Sequence, residues 1–332
     1  MTKVRTSNIV AIVVAVALLV AMLPTVVLAA EDDSISGQFT LGNDAPSVTS
    51  IGLYESDNST AATSMTPQTE YILKVAVTDT NTLDDLDTVE VTIFYDEDGD
   101  DDSGDIPADN TTVAATMTCT VGATPSWSIN PSSSTTWDIV EASCEQPTLT
   151  GSSGTFCFRF TPGKVATEAA DWDAYAVATD DSALTDDLYD GSDYDMNWYG
   201  EIATSASVDW GTVTAGSDFS ANKQTGISIN YIANGAYDEQ VAASTPWGAA
   251  ALDIAGNPDS NEFSLRANDE DSEAGWVDVA TTAAYATMDD SGTQTAEAGD
   301  DVTGNTLWLK LGTPFTDNTY SGTIYFRIAN GS

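Results

Sequence analysis

The residues best suited to chemistry are carboxylates. The run Asp96-Glu97-Asp98-Gly99-Asp100-Asp101-Asp102-Ser103-Gly104-Asp105 sets acids at every second position of a stretch broken by Gly and Ser. Calcium takes roughly six to eight hard oxygen ligands, and alternating carboxylates in a tight loop supply them. Asp96, Asp98 and Asp100 fit the first alternating positions of such a loop. Asp98, Asp100 and Asp102 fit them in a second register, with Asp109 at its last position. Neither register completes an EF-hand: Asp101 or Ser103 stands where the turn glycine belongs, and no Glu closes the loop. Asp96, Asp98, Asp100, Asp102 and Asp109 are therefore the candidate Ca2+ ligands, set against the alternative of a solvated acidic loop. Two further clusters, Asp79 with Asp84, Asp85 and Asp87, and Asp186 with Asp187, Asp190, Asp193 and Asp195, read as charge runs on solvated loops.

Other chemistries are narrowed by what is missing. The chain has no histidine, which removes Ser-His-Asp and Cys-His nucleophiles, histidine bases and His-containing zinc sites. A carboxylate-dependent hydrolase survives on paper, but close acid pairs arise by chance among 52 Asp and Glu, and the chain reads as a non-enzyme. Cys119, Cys144 and Cys157 match no metal-cluster spacing. In an oxidising compartment they imply one disulfide and one odd thiol. Cys144 and Cys157 flank the turn-like Thr150-Gly151-Ser152-Ser153-Gly154 and are the candidate pair, with Cys119 on the apolar face of its own strand. Asn58, Asn110 and Asn330 stand in Asn-x-Ser/Thr contexts and are candidate glycosylation acceptors on an exported chain. Eight tryptophans raise a sugar-stacking platform as an alternative to core packing. Trp172 and Trp210 fall in alternating segments and read as core, while Trp308 points away from the leucine face beside it.

The elements that must carry these residues are strands. Tyr71, Leu73, Val75 and Val77 alternate with Ile72, Lys74 and Ala76. Val89, Val91 and Ile93 alternate with Glu90 and Thr92, Phe156, Phe158 and Phe160 with Cys157 and Arg159, and Trp172, Ala174, Ala176 and Ala178 with Asp173, Tyr175 and Val177. Period-two runs of this kind, separated by Gly, Pro, Asn and Asp, predict antiparallel sandwiches. The stretch 180–195 holds seven aspartates and reads as a linker. Asn234-Gly235 between two apolar runs predicts a type I′ hairpin, and Leu307–Leu311 with Ile324–Ile328 predicts a final hairpin. The expected organisation is a segment at 1–30, a β-sandwich domain over 31–180 with the acidic loop 96–109, an acidic linker over 181–199, and a second β-sandwich domain over 200–332.

Lys3 and Arg5 followed by an apolar run from Ile9 to Ala30 have the form of a secretory signal, with small Ala29 and Ala30 at the end. The run exceeds the roughly 7–15 residues of an ordinary signal core and is long enough to cross a bilayer, so an uncleaved anchor is the alternative. Both place the remainder outside the cytoplasm; a cleaved signal leaves no stable membrane insertion. The net charge of −43 excludes nucleic acid as a partner, because phosphate binding needs clustered Lys and Arg. It draws cations and water instead.

Pro46-Ser47-Val48-Thr49-Ser50, the run Thr69 to Asp79, and Tyr320-Ser321-Gly322-Thr323-Ile324 resemble the strand edges of Ig-like domains in secreted prokaryotic surface proteins, of the archaeal and bacterial S-layer and cell-envelope type. The resemblance implies two Ig-like sandwiches and carries over no catalytic residue. The expected function is an exported structural or interaction protein of the cell surface, a cation-stabilised layer, sheath or filament subunit that self-associates or binds other envelope components. Ca2+ is the one expected cofactor. The alternative is an extracellular glycan- or ligand-binding module.

Overall fold

The structure is a computed structural model that describes residues 37–40, 42–97, 106–108, 110–204 and 207–331. The signal-like segment and Asp98, Asp100, Asp102 and Asp109 lie outside the described residues. Among the described residues no helix is long and apolar enough to cross a membrane. The chain forms two compact units, Met1–Gly42 and Asn43–Ser332. In the first, Gly37 to Thr40 carry no regular secondary structure and are exposed, Phe39 to 91%.

The second unit is all-β; its only described helical turns are short 3-10 segments. One sheet orders β1 (Ser47–Glu55), β3 (Tyr71–Thr78), β8 (Ser153–Thr161) and β7 (Asp138–Ile139). A second orders β2 (Ser64–Met65), β10 (Thr185–Met196), β9 (Ala169–Asp180), β4 (Leu86–Tyr95), β5 (Ala114–Thr120) and β6 (Ser126–Asn130). These two share one core. Leu73, Val75 and Val77 of β3, Val89, Val91 and Ile93 of β4, and Phe156, Phe158 and Phe160 of β8 are all within it. Small Ala174, Ala176 and Ala178 on β9 belong to the same core, and their small volumes leave room for the phenylalanines. Burying each phenylalanine contributes about 1.5–3 kcal/mol.

A third sheet orders β11 (Gly200–Thr204), β12 (Lys223–Ala233), β19 (Asp300–Leu311), β15 (Glu262–Asn268) and β14 (Ala251–Leu252), with β16 (Val277–Asp278) on β15. In the fourth, β13 (Tyr237–Ala243) pairs with β17 (Ala280–Thr281), β18 (Ala286–Gly292) and β20 (Ile324–Asn330). A separate core lies between the third and fourth sheets, built on Ile229, Tyr231, Val241, Phe263, Leu265, Leu307 and Leu309.

Three local expectations are corrected. The stretch read as an acidic linker over 181–199 is largely β10, which pairs antiparallel with β9 from Thr185↔Thr179 to Met196↔Ala169. Its buried members are Tyr194 and Met196, and most of its aspartates face solvent. Composition hid the strand because Asp is depleted in strands generally. Asn234-Gly235 joins β12 of the third sheet to β13 of the fourth, so it is no hairpin, and neither residue has the positive φ of a type I′ turn. The same holds for β19 and β20, which belong to opposite sheets.

Asn234 explains its own turn. Fully buried, it pegs the two sheet pairs together. Its Nδ2 donates to the carbonyls of Ala166 (2.7 Å) and Asn197 (3.0 Å), and its Oδ1 accepts from Tyr199 N (2.6 Å). Glu168 N donates to the Asn234 carbonyl at 2.9 Å. Around this peg, Gln294 Nε2 donates to Val165 O at 2.8 Å, and Asn330 Nδ2 to Glu168 Oε1 at 3.0 Å. Lys164 pairs with Glu201 at 2.5 Å. Glu297 accepts from Ser134 Oγ, from Thr135 N (3.0 Å) and from Thr136 Oγ1 (2.6 Å). Burial raises the Glu297 carboxyl, but these donors outweigh it and hold the group below its usual range. The junction is thus a satisfied polar interface and not a free hinge.

Candidate functional site

The fourth sheet ends on an open edge. Among the described residues β20 pairs only with β13. Its inward residues Ile324, Phe326 and Ile328 oppose Ala243, Val241 and Glu239, yet each is only half-buried. At the Ile328 end, Gly200 fits closely: a Cβ there would lie 2.5 Å from the Trp198 ring and 2.7 Å from Ile328 Cδ1. Toward Ile324 and Phe326 the two sheets part, leaving a cleft of about 1110 Å³.

Aromatic rings line it. Trp247 packs on Phe263 at 4.6 Å between centroids, and Trp210 lies 6.2 Å from Trp247. Phe315 and Tyr320 meet edge to face at 5.0 Å on the opposite loop. That loop is held by Asn261, whose Oδ1 accepts from Thr316 N and Oγ1 at 2.9 Å each, and by Tyr320 Oη donating to Thr316 O at 3.0 Å. Gly322 is required here, since a Cβ would fall 2.0 Å from the Trp247 ring. The indole N–H groups of Trp210 and Trp247 find no acceptor among the described residues, although Trp247 is only 7% exposed. Asp209 and Asp317 stand at the exposed rim. An apolar floor with unspent donors and a polar rim is the composition of a binding site.

Two acid clusters in the body are electrostatically costly. Glu239, inward on β13 and 3% exposed, has an Oε2 without a partner among the described residues, and the same is true of Asn305 Oδ1. Burial, reinforced by Asp289, pushes the Glu239 carboxyl up to about 7. At the far end of the first sheet pair, Asp79 and Asp180 are buried, and Asp79 Oδ2 and Asp85 Oδ2 lack partners. Burial and then Asp79 raise Asp85.

The predicted site residues that the structure describes are dispersed. Asp96 is buried at the end of β4, its amide donating to Asp171 O at 2.9 Å. Among the described residues no group of three or more Asp, Glu or Cys side chains converges on a metal position. The Cys144–Cys157 disulfide is absent, and all three cysteines are free. Glu145 pairs with Cys157 across the ladder, so Cys144 and Cys157 address opposite faces. Cys144 packs toward the core that contains Cys119, its Sγ accepting from Arg159 N at 3.2 Å. Asn58 sits in the turn after β1 at φ 62°; Asn110 is exposed and caps Thr112 and Val113; Asn330 is engaged at the junction.

Trp172 is buried as expected, but Trp210 is half-buried and lines the cleft. Trp308 does face away from the leucines, where Trp276 covers it at 5.4 Å. The cleft has no local signature in the sequence, because its rings come from loops and strands far apart along the chain and converge only through strand order.

No known protein family matches the chain, and no curated protein does. Among solved structures, dimeric latent PorU from Porphyromonas gingivalis aligns at 9% identity and a TM-score of 0.12, covering 87% of this chain and 34% of that one.

Proposed function

We propose that this chain is an exported structural and interaction protein of the cell surface, built of two Ig-like sandwiches. It serves as a layer, sheath or filament subunit and has no catalytic role. The observation that carries the reading is the aromatic cleft beside the unpaired edge of β20, on a body whose two halves are pegged together at Asn234. An apolar cleft at an open edge suits docking, and a rigid body suits assembly. The acidic surface fits an exterior rich in salt and divalent cations. Ca2+ is the cation we propose for the alternating carboxylates Asp96, Asp98, Asp100, Asp102 and Asp109.

The test is binding of Nile red, an uncharged apolar dye that the acidic surface does not repel. The mature protein is expected to enhance its fluorescence saturably, and Phe326→Glu, with its fold checked by circular dichroism, to lose most of that enhancement. Equal enhancement by both proteins would remove the cleft from the account.

The unpartnered indole N–H groups of Trp210 and Trp247 favour a second reading, a glycan-binding module. Saturable quenching of tryptophan fluorescence by one class of soluble polysaccharide, lost in Trp210→Ala, would select it over self-assembly.

A further inference from the structure

We infer that the cleft beside β20 receives the extended segment around Phe39 from a second copy of this chain, which adds as a strand to the open edge. The inference rests on the cleft being a docking site, as proposed above, and names its occupant.

The segment has the right chemistry. Ile35, Gly37, Phe39 and Leu41 alternate with Ser36, Gln38 and Thr40, so in strand conformation one side is apolar and the other polar. Phe39, at 91%, is the most exposed large hydrophobic among the described residues, and no described strand pairs with Gly37 to Thr40. On the receiving side, Ile324 and Phe326 have the same two-residue spacing and are half-buried. An added strand would use the free backbone edge of β20. It would set Phe39 and Leu41 among Trp210, Trp247 and Phe326.

Chain connectivity makes the donor another copy. Asn43 is tied at one end of the first sheet pair: its Nδ2 donates to Asp180 Oδ2 at 2.8 Å, while Asp44 N donates to Asn81 Oδ1 at 3.0 Å. From Asp180, β9 runs twelve residues to Ala169, about 35 Å at strand rise. Only there does it reach Glu168, which holds Asn330 at the end of β20. Leu41 is two residues from Asn43 and extends at most about 7 Å from it, and Phe39 about 14 Å. Neither reaches the β20 edge of its own chain. The edge such a segment completes is then a neighbour's, a head-to-tail arrangement that propagates into a filament unless the rotation closes a ring.

The experiment uses three preparations at fixed high ionic strength: the mature chain Glu31–Ser332, its Phe39→Asp variant, and the compact unit Asn43–Ser332. A synthetic peptide of residues 34–42 is added to the last. The expected results are oligomers growing with concentration for the mature chain, at least a tenfold fall in oligomer fraction for Phe39→Asp and for Asn43–Ser332, and a saturable change in tryptophan fluorescence on adding the peptide. If Nile red binds the cleft but the peptide does not, and the mature chain and Asn43–Ser332 sediment alike, self-docking is overturned while the cleft remains a docking site. If neither probe binds, both readings fall. Oligomers that persist in Phe39→Asp would also overturn the inference.

Discussion

Replacing Glu239 with Gln should stabilise the protein at neutral pH, which is unusual for a buried residue. Glu239 lies inside the second core, 3% exposed, with Oε2 unpartnered. Its carboxyl is pushed up to about 7 from 4.5, first by burial and then by Asp289, with Asp269 and Asp300 adding to it and the Tyr231 hydroxyl opposing. Below pH 4.5 both folded and unfolded chains hold the proton, and the site costs nothing through ionisation. Between 4.5 and 7 the unfolded chain releases it first, so stability falls as pH rises. Above 7 both are ionised, and the accumulated loss is about 3 kcal/mol. Glutamine keeps the shape without the charge.

The assay is thermal unfolding of wild type and Glu239→Gln from pH 4.5 to 8.5 at fixed high salt, where the general charge repulsion is common to both. The variant's advantage should grow from near zero to about 3 kcal/mol, or about 5–10 °C in Tm, with most of the change complete by pH 7. Parallel curves, or a variant less stable throughout, would refute the reasoning.

Other measurements bear on the junction and the cations. Asn234→Ala removes three side-chain hydrogen bonds from a buried position and should cost about 2–4 kcal/mol. It should also split a single unfolding transition into two, seen by calorimetry. The lowered Glu297 carboxyl stabilises the junction above pH 4.5, a contribution lost as pH falls through its folded value. Glu297→Ala should therefore weaken the protein by about 1–3 kcal/mol at pH 7, a difference that shrinks toward zero in acid unfolding curves. Calcium at a hundred times its Kd should add about 2.7 kcal/mol, read as a rise in Tm over a chelated sample, and Asp98→Asn should reduce that rise. An equal rise in magnesium would assign the effect to screening.

Much of the architecture was legible where hydrophobic periodicity was strong. The Tyr71–Val77, Val89–Ile93 and Trp172–Ala178 alternations are β3, β4 and β9, with the expected inward faces buried. Local signals misled where tertiary context overrode them. The aspartates of β10 disguised a strand that is held in place by its pairing with β9. Asn234-Gly235 carried the grammar of a hairpin, but its asparagine serves the junction. Cys144 and Cys157 were close in sequence, yet the Glu145↔Cys157 pairing turns their side chains apart. The cleft left no sequence signature, because Trp210, Trp247, Phe315 and Phe326 meet only when the third and fourth sheets stack.

The most direct test of the account is photo-crosslinking from position 39. The photoreactive p-benzoylphenylalanine takes the place of Phe39 in the mature chain, the protein is irradiated at assembling concentration, and crosslinked peptides are identified by mass spectrometry. Crosslinks between chains that land on Trp210, Trp247 or the Ile324–Phe326 stretch are the expected result. Crosslinks confined to one chain, or scattered over the first sheet pair, would contradict it.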